Sequence, residues 1–207
     1  ETIVAAVEQG RVIFSNIRKS VLFMLCTNAA EILVVGTASL LDWPLPLRPL
    51  QILYLNVITD VFPALALSVG KGDPQKEMQR PPRPQEESIL GRPQWLAIGG
   101  WSVVVGVCVL AALLTGRHWL QLSTPQAVTV SFLTLAFAKL WFVLNLRNPD
   151  SGLVRNDILG NPWLWLATVG CAGLLAAAVY VPVLSGVLET RAPGTAGWLA
   201  VLAFSLL

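Results

Sequence analysis

The sequence predicts an all-α membrane protein: a bundle of six transmembrane helices, the first extended by a cytoplasmic stalk. Three observations carry that prediction. Of 207 residues, 55% are hydrophobic and only 13% charged, roughly half the charged fraction of soluble domains. The apolar residues gather into long runs without strand-like alternation, and runs of about 20 such residues are what a bilayer requires. Lysines and arginines fall mostly to one side of those runs.

In chain order, residues 1–19 form the stalk. The stretch "EQGRVIFSNIRKSVLFML" carries its charge early and its apolar residues late, as a helix does when it starts in water and runs into a membrane. The predicted spans are 20–41, 50–69, 94–116, 126–146, 161–182 and 194–207, and 20–207 is read as one transport domain. Between the second and third spans, residues 70–93 ("GKGDPQKEMQRPPRPQEESILGRP") are polar and proline-rich. They predict a cytoplasmic loop, because nothing there builds a core. Within it, "RPPRP" (80–84) reads either as a docking surface or as a polyproline linker. The sixth apolar run is short for a span, and with no initiator methionine at Glu1 the sequence reads as part of a longer protein.

Charge fixes the predicted direction. With a cytoplasmic N-terminal segment, the inside holds Arg11, Arg18, Lys19, Lys71, Lys76, Arg80, Arg83, Arg92, Arg147 and Arg155. The outside holds only Arg48, Arg117 and Arg191, and Lys139 lies within a span. That asymmetry follows the positive-inside rule, and Trp43, Trp95, Trp119, Trp163 and Trp198 fall near span ends, where amphipathic rings settle. A net charge of +2 gives no reason to expect a nucleic-acid partner. Cys26, Cys108 and Cys171 all sit in apolar runs and read as small packing residues, and with the single histidine His118 they make no thiolate or imidazole metal site. Gly99, Gly100 and Gly106 read as points of close helix packing, and Trp101 and Trp141 as packing or lipid-facing residues.

Three ionisable residues remain inside spans: Glu31, Asp60 and Lys139. Each costs about 2.5–3.5 kcal/mol at a bilayer centre on insertion scales, and such residues mark transport paths or buried ion pairs. Glu31 lies ~17 Å and Asp60 ~14 Å from the cytoplasmic ends of their spans. The turn between those spans is short, so the two carboxylates are expected at one level. Asn28 precedes Glu31 by three residues and Asn56 precedes Asp60 by four, each on the carboxylate's face. Thr59 points away in a regular helix. Pro63, however, removes the hydrogen bond to the Thr59 carbonyl, and local loosening can turn Thr59 or backbone oxygens inward. Carboxylate, amide and hydroxyl oxygens are the ligand set of hard cations such as calcium.

"TNAAEI", then "LQILYLNVITDVFPALALSV", then "MQRPPRP" together resemble the membrane half of type II P-type ATPases, the calcium pumps in particular. "EQGRVIFSNIRKSV" is similar to that family's stalk into its fifth span, and "LAIGGWSVVVG" to its seventh. The resemblance covers the whole chain as spans five to ten of ten. It implies that Asn28 and Glu31, with Asn56, Thr59 and Asp60, are metal ligands, and that ATP with Mg2+ drives transport of Ca2+. It implies partners as well: the bilayer, spans one to four, and cytoplasmic phosphorylation, nucleotide-binding and actuator domains of the same pump. No catalytic residue is expected in this chain. A bacterial plasma membrane is the expected location, given the compact loops.

The sequence departs from that family at Lys139, where two-site calcium pumps carry a glutamate and other relatives a glutamine. An ammonium has only donors and cannot ligate a cation. It would modulate the charge of the ion site and take the space of a second ion. Lying ~11 Å from its cytoplasmic end, it can instead snorkel to the surface. Alternatives in function are a pump for sodium, potassium, manganese or protons, or a non-catalytic membrane subunit or scaffold whose polar residues only lock helices.

Overall fold

The computed structural model describes residues 2–70, 78, 89–146, 158 and 160–206. Every regular element among them is helical. In chain order these are α1 (Thr2–Leu40), α2 (Pro49–Leu55), a π-helical stretch (Asn56–Val61), α3 (Phe62–Ser68), α4 (Arg92–Leu114) with a π-helical end (Thr115–Trp119), α5 (Thr124–Asn145), α6 (Pro162–Tyr180), α7 (Pro182–Leu188) and α8 (Gly194–Ser205). The "RPPRP" segment lies outside the described residues.

Helix starts are written locally. Arg48-Pro49-Leu50-Gln51, Arg92-Pro93-Gln94 and Thr124-Pro125-Gln126 share one device. Proline occupies the first turn, where its missing N–H costs nothing. The glutamine side chain then accepts the N–H of the capping residue: Arg48 to Gln51 Oε1 at 3.0 Å, Gly91 to Gln94 at 3.0 Å and Ser123 to Gln126 at 3.2 Å. These satisfy donors that a helix start otherwise leaves orphaned. Proline also ends an element: α6 stops at Val181, where Pro182 disfavours helical geometry in the residue before it.

Among the described residues, five helices are long and apolar enough to cross a membrane: Thr2–Leu40, Pro49–Ser68, Arg92–Trp119, Thr124–Asn145 and Pro162–Tyr180. The segment 194–207 contributes a shorter helix, Gly194–Ser205. At 39 residues, α1 is roughly 58 Å long, about twice the ~30 Å hydrocarbon core. Its N-terminal residues are exposed, and burial begins at Val12.

The bundle closes around α5. Its buried residues cover every side, and Phe132, Leu133 and Leu135 are fully enclosed. α1 packs along α4, α8 and α4 lie on α5, and α3 bridges α1 and α6. Near the stalk end, Phe23 stacks on Phe142 at 6.2 Å, and Trp101 tilts onto the same ring at 4.7 Å. Gly106 does sit against α1, where an added Cβ would meet Leu33 and Val34 at 3.7 and 3.8 Å. Gly99 and Gly100 correct the expectation of close packing, since both are exposed and a Cβ on either meets nothing within 4 Å. They lie on the outward face of α4, away from α1.

A polar strap joins the stalk end of α1 to the end of α3. Asn16 Nδ2 donates to the Gly70 carbonyl at 2.6 Å and to that of Ser68 at 3.3 Å, and Ser20 Oγ donates to the Ala64 carbonyl at 3.1 Å. From α6, Asn161 Nδ2 donates to the Ala66 carbonyl at 2.8 Å. The Ala66 and Ser68 carbonyls, at the end of α3 where helical partners run out, are thus held by side chains of Asn161 and Asn16. This fixes the position of the segment that carries Asp60.

Candidate ion site within the bundle

The segment from Pro49 to Ser68 does not run as one regular helix. Pro63 has no N–H to give, and the residues just before it, Asn56–Val61, adopt the wider π-helical winding, a form that concentrates at functional sites. The sequence expectation was a loosening near Thr59; the structure realises it as π-helix and not as unwound chain. Thr59 and Asp60 are both buried. Thr59 Oγ1 donates to the Leu55 carbonyl at 2.9 Å, and the hydroxyls of Thr59 and Thr27 flank the Asp60 carboxylate.

Lys139 of α5 meets this segment and α1 at once. Its Nζ donates to Glu31 Oε1 at 2.6 Å and to Asp60 Oδ1 at 2.9 Å. The lysine side chain is 1% exposed, and those of Glu31 and Asp60 are 6% and 3% exposed. Of the two sequence readings of Lys139, reach into the cavity describes its position and snorkelling does not. The reason is electrostatic: two buried carboxylates within reach outbid a longer path to the surface, because an unpaired buried charge is far costlier than a paired one.

Asn56 joins the same group. With its amide nitrogen toward the carboxylates, it donates to Glu31 Oε2 at 3.1 Å and to Asp60 Oδ2 at 3.3 Å. The triad therefore carries two negative charges and one positive, with one oxygen of each carboxylate left to the amide. An amide can rotate to offer its oxygen in place of its nitrogen, so this position can serve either a filled or an empty site.

Of the six residues expected here, Glu31, Asn56, Thr59, Asp60 and Lys139 come together. Asn28 is half-buried, and its Nδ2 donates to the carbonyl of Met24, one turn back on its own helix, at 2.8 Å. Two neighbours escaped the sequence reading. Thr27 lies four residues before Glu31, a spacing that shares a helix face, so the signal was available. Cys171 gave none. Expected as a packing residue, its thiol donates to the Ile58 carbonyl at 3.0 Å, inside the π-helical stretch.

Comparisons with known proteins bear on this geometry. Residues 44–207 match the family model described as cation transporting ATPase, C-terminus. A calcium-transporting ATPase of Bacillus subtilis is 35% identical over 99% of the chain and 23% of its own length. Calcium-transporting ATPase 1 of Bacillus cereus is 32% identical over 100% of the chain and 25% of its own length. A P-type sodium-transporting ATPase of Toxoplasma gondii is 44% identical over 56% of the chain and 9% of its length. The chain thus spans about a quarter of the length of the two Bacillus proteins.

Proposed function

Because this chain belongs to the family of cation-transporting ATPase C-terminal regions and is a multi-pass integral membrane protein, we propose that it is the membrane half of an ATP-driven calcium pump. The observation that carries the reading is the oxygen cluster around Lys139. Glu31, Asp60, Asn56 and Thr59 supply carboxylate, amide and hydroxyl oxygens, a set suited to hard cations. The names of the two Bacillus relatives favour calcium among such ions.

In this reading Lys139 occupies part of the site as a resident cation. It neutralises one of two carboxylate charges and fills the volume where a second ion would sit, so about one calcium moves per cycle. Glu31 Oε2 and Asp60 Oδ2, freed when the Asn56 amide turns its oxygen inward, face the incoming ion. Asn28 enters only by releasing the Met24 carbonyl. When the ion leaves, the ammonium and the amide nitrogen hold the two carboxylates in place. Differential affinity between these two arrangements is what transport requires. ATP and Mg2+ act at phosphorylation, nucleotide-binding and actuator domains elsewhere in the pump, with spans one to four beside this bundle. α1 begins in the cytoplasm and conveys their movement to Glu31. The location is a bacterial plasma membrane.

A second reading has specific support. All three charges are paired without an ion, as in a triad that only locks helices together. A sodium-transporting relative keeps the choice of cation open within the first reading. One experiment separates these. In membranes carrying the full-length protein, calcium-dependent phosphoenzyme and calcium bound per phosphorylated site are measured together. About one calcium per site is expected. About two would remove Lys139 from the ion's coordination space, and no calcium response would overturn calcium as the cargo.

A further inference from the structure

At the end of the bundle away from the stalk, three regions far apart in sequence line a half-open polar cavity of about 420 Å3, within the ~300–1,000 Å3 range of ligand pockets. Arg48 comes from the turn before α2, Pro125 from the start of α5, and Ser185, Glu189, Thr190 and Arg191 from α7 and the turn before α8. This cavity is separate from the Glu31–Asp60–Lys139 cluster and plays no part in the mechanism above.

Its walls are held firmly. Gln51 Nε2 donates to the Leu188 carbonyl at 3.0 Å in a buried bond, tying the start of α2 to the end of α7. Thr190 Oγ1 donates to the Ala178 carbonyl at 2.6 Å. The Arg191 N–H donates to Thr129 Oγ1 at 2.9 Å, and Gln126 Nε2 donates to the Ala192 carbonyl at 3.2 Å. Glu189 sits in the left-handed region at φ 51°, an uncommon geometry for a side chain other than glycine, and its carboxylate pairs with Arg48. The backbone that presents Arg191 is therefore fixed on both sides. No ion pair holds the Arg191 guanidinium among the described residues, and the residue is exposed.

Two guanidiniums against one carboxylate leave a net positive charge, which favours an anionic ligand over a cation. We propose that this cavity binds a phosphate group, with Arg191 as the principal contact and Arg48, shared with Glu189, as the second. Guanidinium forks match phosphate oxygens in pairs. The source that fits is the headgroup of a phospholipid. Tyr180 and Trp198, hydrogen-bonded to each other at 2.9 Å, flank α7 and α8 at the same end, as aromatic belts do at headgroup level. Val183 and Val187, 75% and 57% exposed on α7, offer an apolar wall for the acyl chains.

The test is native mass spectrometry of the full-length protein in detergent, titrated with phosphatidylglycerol, with inorganic phosphate as competitor. Phosphatidylglycerol is expected to bind and to resist millimolar phosphate. Displacement by phosphate would keep the site but assign it to free phosphate. Arg191→Gln should weaken binding roughly tenfold, the loss of a charge-assisted pair, and Arg191→Lys should recover part of it. Glu189→Gln should tighten binding roughly threefold by removing a like charge at the rim, an effect of opposite sign that a misfolded variant would not give. Binding that is unchanged in the Arg48→Gln/Arg191→Gln double variant, or no binding of either probe to the unsubstituted protein, overturns the proposal.

Discussion

α5 and α6 are close in length and in hydropathy, 22 residues at 1.9 and 19 residues at 1.7. Yet 83% of the most apolar window of α5 is buried inside the bundle, against 28% for α6. Mean hydropathy tells a segment that it spans and says nothing of which neighbours it will face. In lipid, an outward leucine is as well solvated as an inward one, so association rests on packing and on polar contacts. α5 is the hub: α4 and α8 pack on it, and its Lys139 bonds partners on α1 and the π-helical stretch. α6 reaches the Pro49–Ser68 segment at several points: Tyr54 donates its hydroxyl to the Leu174 carbonyl at 2.7 Å, Cys171 bonds the Ile58 carbonyl, and α3 packs along it.

That contrast can be broken in order of expected effect. Lys139→Ala should be the most disruptive single change, because it leaves two carboxylates uncompensated; removing one partner of a buried pair costs about 3–5 kcal/mol. Thermal unfolding of the full-length protein should show the loss, and saturating calcium should recover much of it if the cluster is an ion site. No recovery would favour the helix-locking reading. Leu133→Ala, at a fully enclosed position of α5, should cost about 2–5 kcal/mol. Leu166→Ala on α6, 65% exposed, should stay within about 0.5 kcal/mol. Equal shifts in the two variants would abolish the distinction between hub and rim.

Three further substitutions sharpen the site and its surroundings. Asn56→Ala should weaken calcium-dependent phosphoenzyme formation by roughly tenfold or more, the worth of a hydrogen bond to a charged group. Asn28→Ala should weaken it less, since its amide is engaged with the Met24 carbonyl; the reverse ranking would show that Asn28 turns inward when the ion binds. Cys171→Ala should lower stability by about 1 kcal/mol through the lost bond to the Ile58 carbonyl. An unchanged melting temperature would mean that the π-helical stretch stands without the Cys171 bond.

The sequence by itself determined much of this protein. Apolar runs marked the helices, and Pro63 marked where the second span departs from regular winding; the proline–glutamine starts of three helices are equally local, though only their hydrogen bonds revealed them. These are local properties, set by backbone donors and by the period of a helix. It also placed Glu31 and Asp60 at one level, since counting residues along two neighbouring helices gives depth. Tertiary structure alone decided where Lys139 points, because its flexible stem reaches cavity or surface with equal ease until both carboxylates are in position. It likewise turned Asn28 back onto its own helix and Cys171 onto Ile58, and left Gly99 and Gly100 facing outward. The cavity at Arg48 and Arg191 was invisible in the sequence, since its two arginines are distant in the chain and meet only once α2, α7 and α8 have packed.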